Sequence, residues 1–138
     1  MDQAPEGVDP SVPNVARMYD YFLDGKDNFA ADREAAERIL QLFPNTKISA
    51  RENRGFLRRA VRLVNENGVD QIVDIGAGLP TQGNTHEIAR GSRVVYIDND
   101  PVVCAHGRAL LARGENVEFL QADARKPDEL LEALRPLV

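Results

Sequence analysis

The sequence predicts an α/β protein: half of a doubly wound parallel sheet, three strands, preceded by an N-terminal helical region. Three observations carry this. Gln71-Ile72-Val73-Asp74-Ile75 reads as a buried strand that runs into the tight turn Gly76-Ala77-Gly78. A second apolar strand, Arg93-Val94-Val95-Tyr96-Ile97, ends on Asp98, about 20 residues past the glycines, where a nucleoside-binding sheet places an acid for ribose hydroxyls. From residue 71 onward, strand and helix signals alternate, the pattern of a Rossmann-like sheet with helices on its faces.

The elements follow in order. The first dozen residues, with Pro5, Gly7, Pro10 and Pro13, read as an unanchored or extended arm. Val15, Met18, Tyr19 and Phe22 recur at helical spacing, and Gly25 is placed to stop that helix. Asp24-Gly25-Lys26-Asp27-Asn28-Phe29 is a polar loop by composition. A second helix is expected over about residues 31–43, with Ala35, Ile39, Leu42 and Phe43 on one face and Pro44 ending it. Ser49 and Glu52 form a capping-box pair for a third helix, whose stripe is Phe56, Ala60, Leu63 and Val64 and whose stop is Gly68. Residues 1–68 thus make an arm and helical cap, and residues 69–138 the half-sheet.

Within the second part, strands are expected at residues 71–75, 94–97 and 117–120, and helices at 85–90 and 101–113. Asp100 and Pro101 supply an N-cap and first-turn pair, and Gly114 a stop. A last helix begins near Pro127 and carries Leu130, Leu131 and Leu134. Three strands are half of such a sheet, whose next strand pairs beside the first. The expectation is therefore a fragment of a longer chain, or a half that pairs with another chain, with an open edge along residues 72–75.

The 138 residues are 43% hydrophobic and 28% charged, enough for a real core. A net charge of -5 argues against attraction to nucleic acid or anionic membranes, leaving small molecules or proteins as partners. One cysteine, Cys104, permits no internal disulfide, no apolar run approaches a membrane span, and the N-terminus lacks the regions of a signal peptide. A cytoplasmic protein fits this pattern best.

The glycines let a ligand approach the backbone, and Asp98 accepts hydroxyl protons. Thr81 stands where the dinucleotide fingerprint has its third glycine, and Pro80 delays the helix N-terminus that would receive a pyrophosphate. A cofactor without phosphates fits better. S-adenosylmethionine is one: a ribose, an adenine, and an amino-acid end whose ammonium seeks a carboxylate such as Asp74. Each residue also has a plainer reading: Asp74 as acceptor for turn amides, Asp123 as a turn acid or helix cap. Arg125 reads as solvated, His86 and His106 as structural or exposed, and Cys104 as buried packing. The loop at 24–28 has two readings as well. Lys26 reaches a cofactor carboxylate while Tyr19, Tyr21 or Asn28 closes over it, or the loop is a polar turn capping two helices. Five arginines between residues 51 and 62 read as a solvated helix face paired with Glu52 and Glu66.

Asp74-Ile75-Gly76-Ala77-Gly78-Leu79-Pro80-Thr81, Tyr96-Ile97-Asp98-Asn99-Asp100-Pro101-Val102-Val103 and Tyr19-Asp20-Tyr21-Phe22-Leu23-Asp24-Gly25-Lys26-Asp27-Asn28-Phe29 closely resemble a bacterial family of SAM-dependent methyltransferases long catalogued as a domain of unknown function. The resemblance extends over nearly the whole chain after the first dozen residues and includes Arg51-Glu52-Asn53-Arg54. It implies a class I methyltransferase fold with an N-terminal helical cap. It further implies that Asp74, Gly76, Ala77 and Gly78 line the methionine end, Asp98 holds the ribose, Asn99 flanks the adenine, and Asp123 with Ala124 lies at the adenine amine.

Methyl transfer from a sulfonium needs alignment and exclusion of water more than a catalytic cluster, so no catalytic residue is assigned and no metal is expected. The expected function is methylation of a small molecule. The rivals are an NAD-dependent oxidoreductase, which Thr81 and Pro80 disfavour, and a non-catalytic module that associates through the open edge, as a homo-oligomer or with a C-terminal half.

Overall fold

The computed structural model describes residues 8–80, 83–110 and 116–138. The chain divides into two compact units, Met1–Leu57 and Arg58–Val138. This division falls inside the third helix, whereas the sequence places a boundary at 68/69, where that helix ends. The expectations for Thr81, Gly114 and most of the N-terminal arm lie outside the described residues, as does the end of the helix expected to reach residue 113.

In the first unit, helix α1 (Val15–Phe22) starts after Asn14, whose side-chain oxygen accepts the Arg17 amide at 3.1 Å. Its inward positions are Arg17, Asp20 and Phe22, so Val15, expected on the apolar face, is 82% exposed. The left-handed residue that ends α1 is Asp24 (φ 59), not Gly25. Gly25 is required for space instead: a Cβ there would lie 2.0 Å from Asp20 Oδ1.

Helix α2 (Ala30–Leu42) opens with Asp32 in its first turn, which accepts the Phe29 amide at 2.8 Å. Ala36 is its buried apolar residue; Ile39 and Leu40 are half-buried, and Leu42 and Phe43, expected inside, are exposed. Helix α3 (Thr46–Glu66) begins before Ser49, whose amide is already bonded to the Asn45 carbonyl at 2.9 Å; the expected capping box is therefore not the start. Gly68 does stop it, at φ 87, with the Val69 amide returning to the Val64 carbonyl at 3.0 Å. Of its expected stripe, Phe56, Leu63 and Val64 are exposed, and Ala50 and Val61 are the buried positions. Phe22, Ala36 and Ala50 form the unit's apolar cluster, with Met18, Tyr19, Ile39 and Leu40 against it.

The same unit buries a charged pair. Arg17 Nε donates to Asp32 Oδ2 at 2.7 Å, with both side chains almost wholly buried. The Asn14 and Phe29 amides also donate to that carboxylate, Arg17 donates to the Val12 carbonyl, and its guanidinium lies 5.1 Å from the Phe29 ring centre. Every charge-bearing face has a partner, which is the condition for burying one.

The second unit is a parallel sheet in the order β1-β2-β3, built from β1 (Gln71–Ile75), β2 (Arg93–Asp98) and β3 (Val117–Gln121). Between them run α4 (Thr85–Ile88) and α5 (Pro101–Leu110), and α6 (Pro127–Leu134) follows. Strand β2 is central, with Val94, Val95, Tyr96 and Ile97 all buried, as a strand covered on both faces requires. One face packs Val95 and Ile97 on Leu130 and Leu134 of α6; Leu131, expected with them, is exposed. Asp100 caps α5 by accepting the Val102 amide at 2.8 Å. Gly107 of α5 is pressed onto β3, since a Cβ there would lie 2.1 Å from the Phe119 ring. Strand β1 is an edge of this sheet, and Val73 and Ile75 are partly exposed where the sequence reads a buried strand. Among the described residues no helix is long and apolar enough to cross a membrane.

Candidate functional site

The carboxyl ends of β1, β2 and β3 gather most of the residues singled out in the sequence. In open parallel sheets this is the end where ligands bind. The chain leaves β1 at Gly76 (φ 73) and Gly78 (φ 69), backbone conformations that favour glycine, and the Gly76 and Ala77 amides bond the Ile97 carbonyl at 2.8 and 3.1 Å. The turn is thus stitched to β2 one residue before Asp98. A Cβ built on either glycine meets nothing within 4 Å, so the space above the turn is open.

Asp98 ties the turn to the strand end. Its Oδ2 accepts the Gly78 amide and its Oδ1 the Asp100 amide, each at 2.9 Å. A carboxylate has about four lone-pair directions, so roughly half remain for hydroxyl donors. The Ala122 amide bonds the Asp98 carbonyl at 3.1 Å, which sets the chain after β3 beside the same corner. Asn99 is exposed at that corner.

Asp74 is engaged differently from the plainer expectation. Its Oδ2 accepts the Thr85 hydroxyl at 2.7 Å, and the turn amide of Gly78 goes to Asp98. Register places Asp74 beside Tyr96, and Tyr96 beside Phe119, on one face of the sheet. The Tyr96 hydroxyl accepts the His86 amide at 2.9 Å and lies 2.8 Å from His86 Nδ1. Burial, with the nearby Asp74 charge as a lesser cause, pushes the Tyr96 phenol up to about 12. Thr85, His86 and Tyr96 are the residues that sequence reasoning missed. The chain offers no periodic signal linking them to Asp74, although Asn84-Thr85 before Glu87 marks the helix start.

Asp123 lies just past β3 and is held by Arg125: the Arg125 backbone amide and guanidinium make contacts of 2.7 to 3.1 Å to both carboxylate oxygens. This hydrogen bonding lowers the Asp123 carboxyl to about 2. Arg125, read from the sequence as solvated, is 81% exposed yet paired. Ala124 is exposed. Cys104 is buried as expected, and burial raises its thiol.

Tyr21 and Lys26 belong to the first unit. The Tyr21 hydroxyl donates to Glu37, which raises its phenol, and the Lys47 ammonium lies 4.7 Å over its ring. Lys26 is exposed. Asn28 is buried and donates to Asp20 Oδ2 at 2.9 Å and to the Gly25 carbonyl at 3.1 Å. Lys47 and Arg51 both pair with Asp24; for Arg51 this acid was not the partner expected.

Residues 1–137 match the family described as S-adenosyl methyltransferase. The chain belongs to that family. Two solved structures similar to this chain fit the assignment. A Thermobifida fusca protein, provisionally named a methyltransferase, is 47% identical with a TM-score of 0.90 over 97% of this chain and 53% of its own. A DUF574 family protein from Streptomyces avermitilis is 39% identical with a TM-score of 0.83 over 94% of this chain and 52% of its own. This methyltransferase family chain therefore spans about half the length of those two relatives. No curated relative matches it.

Proposed function

We propose that the carboxyl ends of β1, β2 and β3 bind S-adenosylmethionine, in a cytoplasmic methyltransferase whose acceptor is a small molecule. The observation that carries this is Asp98: one carboxylate fastened to the Gly78 amide, with lone pairs to spare, beside two glycines with open space above them. These residues fit the cofactor. Asp98 would hold the ribose hydroxyls, Gly76, Ala77 and Gly78 with Asp74 the amino-acid end, and Asn99, Asp123 and Ala124 the adenine. When bound, the cofactor supplies a methyl group on a positively charged sulfur, an activated leaving group. The chain's own part is to bind and orient: the glycine turn exposes backbone amides, and the carboxylates of Asp74 and Asp98 fix the ligand's amino-acid end and its ribose. The net charge of -5 supports a small acceptor over nucleic acid.

Calorimetry tests the reading. S-adenosylmethionine and its demethylated product should bind, and NAD should not. Asp98→Asn should weaken binding about tenfold, the difference between a charge-assisted and a neutral hydrogen bond, with circular dichroism unchanged. Binding of NAD in place of S-adenosylmethionine overturns the proposal. A second reading, association through a sheet edge, is favoured by one observation: β1 is an edge strand with Ile75 54% exposed. Light scattering that finds a defined dimer with or without the cofactor would support it; a monomer that binds the cofactor would refute it.

A further inference from the structure

Thr85 is 1% exposed, yet nothing in a class I cofactor site read from this sequence asks for a buried hydroxyl there. Its place is set from both sides. Its hydroxyl donates to Asp74 Oδ2, and the next residue, His86, is fastened to Tyr96 through its amide and its Nδ1. Tyr96 is itself immobilised, stacked on Phe119 with ring centres 5.9 Å apart and meeting the His86 ring edge-on at the same separation. The Tyr96 hydroxyl thus holds the start of α4 at two points, accepting the His86 amide and lying within hydrogen-bond distance of His86 Nδ1. The start of α4 is thereby pinned to the middle of the sheet, and a β-branched residue on that start has few rotamers open to it. The Thr85 hydroxyl is a fixed donor aimed at one oxygen of one carboxylate.

We propose that Thr85 is a positioning residue for the cofactor site: its hydroxyl, anchored by the Tyr96–His86 pair, fixes the Asp74 carboxylate so that its unused lone pairs meet the ammonium of the cofactor's amino-acid end. This rests on the reading of the site given above. It follows that the contribution of Thr85 is confined to ligands that possess that end. Adenosine, which has the ribose and base but no amino acid, gains nothing from an oriented Asp74.

The experiment compares S-adenosylmethionine with adenosine by calorimetry on the native chain, Thr85→Val and Thr85→Ser. Thr85→Val keeps the shape and removes the donor, and it should lose about tenfold in affinity for S-adenosylmethionine, the effect of one hydrogen bond to a charged group. Adenosine affinity should be unchanged, and Thr85→Ser, which keeps the donor, should stay within about twofold of native for both ligands. Equal weakening of both ligands by Thr85→Val, or of neither, overturns the proposal. If Thr85→Val does not fold, Thr85→Ala must show the same split between ligands, and its absence is equally decisive. Failure of the underlying site reading looks different: the native chain then binds neither ligand.

Discussion

In Met1–Leu57 the buried side chains include Arg17, Asp20 and Asp32, whereas in Arg58–Val138 they include Val94, Val95, Ile97 and Val103. The first unit combines a small apolar cluster, Phe22, Ala36 and Ala50, with the buried Arg17–Asp32 pair; the second covers one apolar strand on both faces. The contrast matters because the two kinds of interior fail differently. An apolar core loses stability roughly in proportion to the atoms removed, at about 0.8 kcal/mol per buried methylene before cavity effects. A buried ion pair is nearly indifferent to joint replacement but severe to halve, since the survivor is a charge without water or partner.

The largest effect should therefore come from Asp32→Ala. It strands the Arg17 guanidinium and releases the Asn14 and Phe29 amides, and a loss of about 3–5 kcal/mol in urea denaturation is expected. Hydrogen exchange should locate the loss in α1 and α2. Replacing both partners, Arg17→Met with Asp32→Leu, should cost less than Asp32→Ala alone. Its counterpart in the second unit, Ile97→Val, should cost only about 0.5–1.5 kcal/mol. If Asp32→Ala proves no worse than Ile97→Val, the two interiors are not different in kind.

A pH series sharpens the same comparison with a smaller effect. Asp20 is raised above its ordinary value, first by burial, with the bonds from Asn28 and the Asp27 amide opposing. A carboxyl whose folded value is raised contributes stability that is present below the unfolded value and lost as pH climbs through the folded one. Asp20→Asn has no such titration. Its stability relative to native should rise as pH climbs from the ordinary carboxyl value through the raised one. The difference between the two proteins is the quantity to follow, because Asp24, lowered by Arg51 and Lys47, moves the opposite way in both. A flat difference across that range would mean Asp20 is not held out of water as the structure places it.

These interiors also explain what could be read in advance. Strand β2 with Asp98, the Asp100-Pro101 helix start and the Gly68 stop are local signals: apolar runs, caps and glycines act on their immediate neighbours, so the sequence displays them. Arg17 meets Asp32 across 15 residues and Asp74 meets Thr85 across 11, and no periodicity encodes either pairing. The charged positions Arg17 and Asp20 even run against the hydrophobic stripe from which α1 was inferred, which is why Val15 was expected inside. The exposed Val73 and Ile75 misled for another reason, since an apolar strand reads the same at a sheet edge as at its centre.

The smallest expected effect concerns Asp123, the acid of the proposed site that is bound by an exposed group. Arg125 makes contacts to both oxygens of Asp123 through its guanidinium and one through its backbone amide. With about four lone-pair directions on a carboxylate, little is left for an adenine amine unless the guanidinium lets go. Arg125→Ala should return the Asp123 carboxyl from about 2 toward 3.8, visible as a carboxyl-carbon titration by NMR. A carboxyl held low contributes stability above its ordinary value and loses it as pH falls through the lowered one, so the variant should surrender a small contribution at neutral pH. An exposed pair is weakly held, so freeing Asp123 should improve S-adenosylmethionine affinity by about twofold or less. An affinity that falls instead would mean the arginine, rather than the acid it covers, faces the adenine.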